Sequence, residues 1–446
     1  MTSLPPSSKL WLRAAAGLSI YLALVLAPLV LAWRTPELGF WREASAACAW
    51  AGLAILTLEF VLITRIHMLT GPFGQDALLR FHRHAGIVGS GLVLAHPLLL
   101  AAREGLPVLW LIDPLASGSA AVGAGTGASL ALLVLMVSTL GRRRLLLDYE
   151  IWLLLHRWLA LLVLALGLGH AFSLGVRPGN IPLLLLWIAY LALAVGALVW
   201  YRGVRPWRQR QPWIVLSNTP ERGRSRTIRL RAAGHPGFAF QAGQFCWLRQ
   251  SGPWAIEAHP VSMSSPAPRG AATELAFTIK DLGDWSGQVV PQLAPGDQLW
   301  LDGPYGVFTL ERHDGPGFVL IGGGVGVSPF VSMVETQIER GDERPLFLFH
   351  AAHDRAGLTG SERFTALSRT APQFRWVPVL EAGPVAVGEE SGWVTAAILW
   401  RHLPPNFREF QFFVCGPAPM MDWVERELRQ LGLARAQVHT ERFDLV

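Results

Sequence analysis

Two apolar stretches, each long enough to cross a bilayer, carry two histidines apiece: His82 with His96, and His156 with His170. Both pairs have the same fourteen-residue spacing. On an α-helix that spacing is close to four turns, so both imidazoles fall on nearly one face, about 21 Å apart along the axis. Two such helices side by side offer two bis-histidine metal sites at different depths of a hydrocarbon core about 30 Å thick. A lone histidine on a membrane helix is as readily a hydrogen-bonding bridge between helices. The repeated spacing is harder to explain as packing, and polar residues at this depth are costly enough to mark function. His84 lies twelve residues before His96, a rotation of about 120°, and is expected to be structural or interfacial.

The rest of the first 200 residues has the same character. Six apolar segments can be read, at Trp11–Trp33, Ala46–Ile66, Phe81–Ala102, Ala128–Leu140, Ile151–Ser173 and Ile181–Tyr201. The fourth spans only if it continues through Leu145–Leu147. Leu106–Ile112, short and Pro-interrupted, reads as an interfacial stretch in a loop. The first segment is longer than a signal-peptide core and is expected to stay as a helix. Basic residues collect on one side: Lys9 and Arg13, Arg65, Arg80 and Arg83, Arg142–Arg144, then Arg202, Arg205, Arg208 and Arg210. The other side has only Arg34, Arg42, Arg103 and Arg177. The positive-inside rule therefore places both termini in the cytoplasm of a multi-pass protein of the cell's inner (plasma) membrane. Gly86, Gly89, Gly91, Gly167 and Gly169 on the histidine segments would allow close approach of a flat macrocycle, or ordinary helix packing.

Three cysteines (Cys48, Cys246, Cys415) form no CxxC pair, which argues against covalent c-type haem, iron–sulfur ligation and a disulfide framework. The net charge of +6 is no nucleic-acid signal, because the basic residues lie largely at membrane boundaries.

After Tyr201 the composition changes to short alternating runs broken by turn residues. Thr227–Arg231, Gln244–Leu248, Glu274–Lys280 and Gln298–Leu301 read as strands of a small antiparallel barrel. From about Gly315 the rhythm becomes strand, glycine-rich turn, helix, strand, as in a nucleotide-binding α/β domain. The sharpest signal is the strand Phe318–Ile321 running into Gly322, Gly323, Gly324, Val325, Gly326, Val327, Ser328 and Pro329. Glycines let the backbone approach a pyrophosphate, and the following helix N-terminus favours its charge. Phe412–Val414 followed by Cys415, Gly416 and Pro417 is a second strand ending in such a turn.

These motifs together resemble the ferric reductase and NADPH oxidase superfamily, over roughly residues 11 to 446. His259, Pro260, Val261 and Ser262, with Met263, Ser264 and Ser265 after them, resemble its flavin-binding signature. Thr278–Ile279–Lys280 with Gly283, Asp284, Trp285 and Ser286 resemble its second flavin segment, and Gly303–Gly306 the barrel's closing turn. Gly322–Pro329 and Cys415–Pro417 match its nicotinamide segments, and the four histidines its bis-haem core. The resemblance implies a six-helix bis-haem transmembrane bundle (1–203), a linker (204–212), an antiparallel β-barrel FAD domain (213–312) and an NAD(P)H-binding α/β domain (313–446). It assigns His82 and His156 to an inner b-type haem, and His96 and His170 to an outer one.

The same resemblance places Ser262 near the flavin N5 edge, and Lys280 and Ser286 at its pyrophosphate. It puts Cys415 beside the nicotinamide and Phe443 over the isoalloxazine ring, while Val261 stands where the family commonly has an aromatic. Arg355, in a stretch with both charge signs, leans toward the 2′-phosphate of NADPH over NADH. The implied activity is electron transfer from cytosolic NAD(P)H through FAD and two haems to an acceptor outside the cytoplasm. Dioxygen, giving superoxide, is the favoured acceptor; a ferric chelate and a dedicated partner protein are the alternatives.

Overall fold

The computed structural model describes residues 6–33, 39–105, 107–142, 144–175 and 180–442. They fall into two compact units, one of Ser8–Arg205 and one containing Pro206–Val446.

The first unit is helical: α1 (Pro6–Trp33), α2 (Phe40–Leu62), α3 (His67–Phe73), α4 (Gln75–Glu104), α5 (Leu109–Ile112), α6 (Ala120–Leu140), α7 (Tyr149–His170), α8 (Ile181–Val199) and the short α9 (Arg205–Arg208). Six of these are long and apolar enough to cross a membrane. α2 is the centre of the packing, with Trp50, Leu53, Ala54, Ile55 and Leu58 all buried. Small residues bring α2 and α4 into backbone contact. A Cβ on Gly52 would stand 2.8 Å from the Gly89 carbonyl oxygen, and one on Gly89 would stand 2.7 Å from Ile55 Cγ2. Such close approach is how apolar helices gain dispersion contacts where lipid removes the hydrophobic drive.

The fourth apolar segment departs from the expectation. It does not continue through Leu145–Leu147; it ends at Leu140, and the missing turns lie at the other end, from Ala120. Read for hydropathy alone, Ala120–Gly127 looks like a loop because it is small and glycine-rich. Ser119 caps this helix, accepting from the Val122 N–H at 3.4 Å, and the small residues let α6 lie against α7. The expected loop stretch Leu106–Ile112 contains the single turn α5, whose Trp110 carbonyl accepts from Thr126 Oγ1 at 2.6 Å.

The second unit opens with an antiparallel sheet in the order β4–β3–β6–β1–β2–β5. Its strands are β1 (Trp213–Glu221), β2 (Ser225–Ala232), β3 (Phe245–Arg249), β4 (His259–Ser262), β5 (Glu274–Lys280) and β6 (Gln298–Tyr305). A bridge between Met263 and Phe277 joins its two edges, so the sheet closes as a barrel. Closure removes the unpaired edges an open sheet would expose.

The chain then forms β7 (Phe318–Gly323), α10 (Ser328–Glu339), β8 (Leu346–Ala352), α11 (Ser361–Thr370), β9 (Phe374–Leu380), β10 (Glu390–Ser391), α12 (Ala396–His402), β11 (Gln411–Cys415), α13 (Ala418–Gln430) and β12 (Val438–Glu441). These strands make a parallel sheet in the order β10–β9–β8–β7–β11–β12. The order runs outward from β7 and returns beside it at β11. That reversal leaves a crevice at the carboxyl ends of β7 and β11, where open α/β sheets bind ligands.

Candidate functional site

The helical unit brings the four sequence-predicted histidines together in the expected pairs. The rings of His82 on α4 and His156 on α7 have centroids 6.3 Å apart, and those of His96 and His170 are 6.1 Å apart. An iron–nitrogen bond of about 2 Å on each side, with about 1.1 Å from nitrogen to ring centre, spans about 6.2 Å. Both separations thus fit two imidazoles on opposite faces of one iron. α4 and α7 run in the same direction, which is why equal spacing along the two helices yields two matched pairs.

Each ring also has its Nδ1 occupied. His96 Nδ1 meets Ser45 Oγ at 2.8 Å and the Ser45 carbonyl at 3.1 Å. His156 Nδ1 meets Thr139 Oγ1 at 3.3 Å, and His170 Nδ1 donates to the Ala121 carbonyl at 2.8 Å. His82 Nδ1 pairs with the Glu59 carboxylate. Among the described residues none of the four Nε2 atoms is hydrogen-bonded. A second-shell partner on one ring nitrogen, fixing the tautomer and leaving the other for metal, is the usual state of a ligating histidine.

Glycines divide by role here. A Cβ on Gly125 would come within 2.7 Å of His170 Nδ1, so that glycine lets α6 support the ring. Gly89 and Gly167 pack against Ile55 and Leu53, whereas a Cβ on Gly86, Gly91 or Gly169 meets nothing within 4 Å. His84 is exposed, and its Nδ1 donates to the Arg80 carbonyl at 2.7 Å, apart from both pairs.

In the second unit the flavin-signature residues lie along β4 and β5. His259 begins β4 and stacks on Trp285, with centroids 4.0 Å apart and planes 10° from parallel. Burial pushes the imidazole down to about 4, so the ring is neutral at physiological pH. Pro260 follows it in the strand; Val261 and Ser262 are buried. Thr278 is buried in β5, its hydroxyl 3.0 Å from both Thr227 Oγ1 and Ser264 Oγ. Its carbonyl accepts from Ser328 Oγ at 3.0 Å, which ties the barrel to the first residue of α10. Lys280 ends β5, and its Nζ lies 3.5 Å from where a Cβ on Gly324 would stand. The second flavin segment and the glycine turn therefore converge. Ser286 is engaged within its own turn: Oγ accepts from the Leu282 and Gly283 N–H groups at 2.9 and 3.0 Å and donates to the Gly283 carbonyl at 3.2 Å.

The glycine turn itself is Gly322 and Gly323 at the end of β7, the 3-10 turn Gly324–Val327 that includes Val325, then Ser328 and Pro329 opening α10. Gly326 presses on the other turn: a Cβ there would stand 2.3 Å from the Cys415 carbonyl oxygen. A Cβ on Gly416 would lie 3.1 Å from the Gly323 carbonyl oxygen. Cys415 is fully buried at the end of β11, followed by Gly416 and by Pro417 at the start of α13. Burial, with the Glu441 carboxylate beside it, pushes its thiol well above the usual range, so it is not a thiolate. Arg355, in the turn after β8, is held by Glu389 through contacts of 2.7 and 2.6 Å. Phe443 lies outside the described residues.

Residues 48–167 match the family described as ferric reductase like transmembrane component, and residues 320–426 match the oxidoreductase NAD-binding domain. The chain has the architecture of the ferric reductase/NADPH oxidase superfamily. The superfamily's membrane component spans three of the four histidines and ends three residues short of His170. Its soluble half resembles reductase components of oxygenase systems. The reductase component DmpP of phenol 2-monooxygenase from Pseudomonas sp. (strain CF600) is 34% identical over 207 residues, 46% of this chain and 58% of that protein. The phenol hydroxylase P5 protein of Acinetobacter pittii is 32% identical over 209 residues, again 46% of this chain and 58% of the relative. The chain thus spans less than two thirds of the length of these relatives. Among solved structures, the Amycolatopsis cytochrome P450 reductase GcoB is 28% identical with a TM-score of 0.46, covering 52% of this chain and 69% of its own. The matched domains are thus a ferric reductase like membrane component and an oxidoreductase NAD-binding domain.

The residues behind the histidines carry weaker sequence signals than the histidines themselves. Glu59 was visible as the one acidic residue inside the apolar segment Ala46–Ile66, a position that marks function by its cost. Ser45, Thr139 and the Ala121 carbonyl carry no such signal, because small hydroxyl residues and backbone oxygens occur throughout membrane helices.

Proposed function

We propose that the protein carries electrons across a membrane, from NAD(P)H on the cytoplasmic side to dioxygen on the other side, releasing superoxide. The observation that carries this reading is the pair of facing imidazole couples, each with Nδ1 already engaged. His82 and His156 would hold one b-type haem, and His96 and His170 the other. The chain leaves the helical unit at the end where Arg65 lies over Tyr201, just beyond α8. His82 and His156 stand about two turns into helices that begin at that end, so they form the inner pair on this reading.

In the reductase unit, Ser262 and the β4 backbone would receive the flavin ring, with His259 and Trp285 stacked behind the signature. Lys280 would place its charge on the flavin pyrophosphate, while Ser286 shapes the loop that carries it. The two glycine turns would admit the nicotinamide and its pyrophosphate, with Cys415 as a neutral, buried floor. Phe443 would cover the flavin until nicotinamide displaces it. When bound, FAD takes a hydride from NAD(P)H and releases its electrons singly, and the haems relay them across the bilayer.

The match to a ferric reductase like component favours a second reading, with a ferric chelate as acceptor. Stopped-flow spectra of detergent-purified protein loaded with haem and FAD separate the two. NADPH is expected to reduce the haem rapidly, and oxygen to reoxidise it with a dismutase-sensitive signal. Haem that stays reduced in oxygen but is reoxidised by ferric chelate would replace the oxidase reading with the reductase one. Absence of haem reduction by NADPH would overturn both.

A further inference from the structure

The four histidines are not supported alike. His96, His156 and His170 place Nδ1 against neutral oxygens: the hydroxyl and carbonyl of Ser45, the hydroxyl of Thr139 and the carbonyl of Ala121. His82 alone meets a carboxylate, that of Glu59 on α2. Glu59 is only 6% exposed, and its second oxygen, Oε1, is buried with no hydrogen bond among the described residues. An acidic side chain among apolar helices is expensive to keep, and His82 is its side chain's one hydrogen-bonding partner among those residues. Helix packing alone gives no reason for it, since Leu58 beside it fills the same core without a charge.

We infer that Glu59 makes the His82–His156 haem the lower-potential of the two, and so gives electron flow its outward direction. This rests on the proposed bis-haem function and deepens it. A carboxylate accepting the Nδ1–H draws that proton outward, so Nε2 becomes a stronger donor to iron than an imidazole bonded to a carbonyl or hydroxyl. A stronger donor stabilises the ferric state over the ferrous, and axial-ligand strength and second-shell hydrogen bonding are main levers on haem potential. The pair at the other end has only neutral acceptors. Glu59 touches neither iron nor substrate; it is a positioning residue that acts through His82.

The test is spectroelectrochemical titration of full-length, haem-loaded protein in detergent, as wild type, Glu59→Gln and Ser45→Ala. Glutamine keeps an oxygen acceptor of the same reach and removes the carboxylate. The wild type should titrate as two one-electron waves. Glu59→Gln should shift the lower wave upward by about tenfold in the reduced-to-oxidised ratio, about 59 mV for one electron, and leave the upper wave in place. Ser45→Ala should move only the upper wave. A lower wave unmoved by Glu59→Gln, a shift confined to the upper wave, or a single wave in the wild type would overturn the inference while leaving the bis-haem reading standing. Wild-type protein with fewer than two low-spin haems would overturn both. If Glu59→Gln does not retain haem, the wild-type electron paramagnetic resonance spectrum carries the test: the lower-potential haem should show the smaller g anisotropy. Two haems with the same spectrum would overturn the inference.

Discussion

Histidine serves the two units in opposite ways. In the helical unit four imidazoles are half-buried, each with one nitrogen tied to a neighbour, and they stand in facing pairs about one metal width apart. In the reductase unit His350 is completely buried in β8, between the rings of Phe364 and Trp376, with neither nitrogen hydrogen-bonded among the described residues. His313 and His439 stack on each other with centroids 3.6 Å apart, and burial pushes them down to about 4 and about 3. The first set is arranged to give a lone pair to something, while the second is kept neutral by desolvation, His350 inside the core and His313 and His439 half-buried beside it. Burial alone does not identify a functional histidine, nor does a facing imidazole. His439 has His313 against it and a partner in Gln411, but no room between the rings for a metal, whereas the helical pairs stand about 6 Å apart with Nδ1 engaged.

The largest expected effect tests that distinction in the helical unit. His156→Ala should lower haem content from two to one per chain, measured as the pyridine haemochrome against protein, whereas His84→Ala should leave both. Equal losses from the two substitutions would break the comparison.

The counterpart lies in the reductase unit. The unfolded chain protonates His350 near its ordinary value of about 6.5, but burial holds the folded group down to about 3. Between those values the unfolded state binds a proton that the native state does not, so native stability falls as pH falls. By pH 4 the loss from this one group is roughly 3 kcal/mol, at about 1.36 kcal/mol per unit. His350→Leu should remove that part of the acid sensitivity, read as the pH dependence of thermal FAD release from the full chain, and leave haem content unchanged. An unaltered pH profile would mean that the ring finds a partner the fold does not display.

How much of this was legible in the sequence follows from the same contrast. The paired histidines could be read because a helix turns a fixed spacing into a fixed face, twice over. The glycine turns could be read because only glycine permits the backbone contacts of Gly326 and Gly416. The start of α6 is not legible, because hydropathy scores Ala120–Gly127 as loop, while a membrane helix uses those small residues as contact surface. Ser286 and Arg355 were legible as residue types but not as contacts. Whether a hydroxyl or guanidinium points to a ligand or to a neighbour depends on loop geometry that no local pattern encodes.

Backbone-built sites should also fail differently from side-chain sites. Gly326→Ala forces a methyl group against the Cys415 carbonyl, and backbone cannot swing aside as a side chain can. Overpacking of this kind costs about 1–3 kcal/mol. The expected result is a fall of about tenfold in kcat/KM for NAD(P)H, assayed with ferricyanide so that the helical unit is bypassed, with haem content intact. A wild-type rate would show that the two turns are not pressed together in solution.

The smallest effect concerns coenzyme choice, where a side chain already has a partner. Arg355 is half-exposed and bound to Glu389 by both of its terminal nitrogens. Exposed ion pairs of this kind contribute about 0–1 kcal/mol, so exchanging the carboxylate for a 2′-phosphate costs little and gains a bidentate contact of similar form. Arg355→Ala should then lower kcat/KM for NADPH by no more than about tenfold and leave NADH unchanged. Glu389→Ala should act the other way, because it frees the guanidinium and removes a like charge from the phosphate's approach. If both substitutions leave the NADPH-to-NADH ratio unchanged, the pair is only a clamp between the β8 turn and the loop after β9. Coenzyme preference would then be set elsewhere along the edge of the parallel sheet.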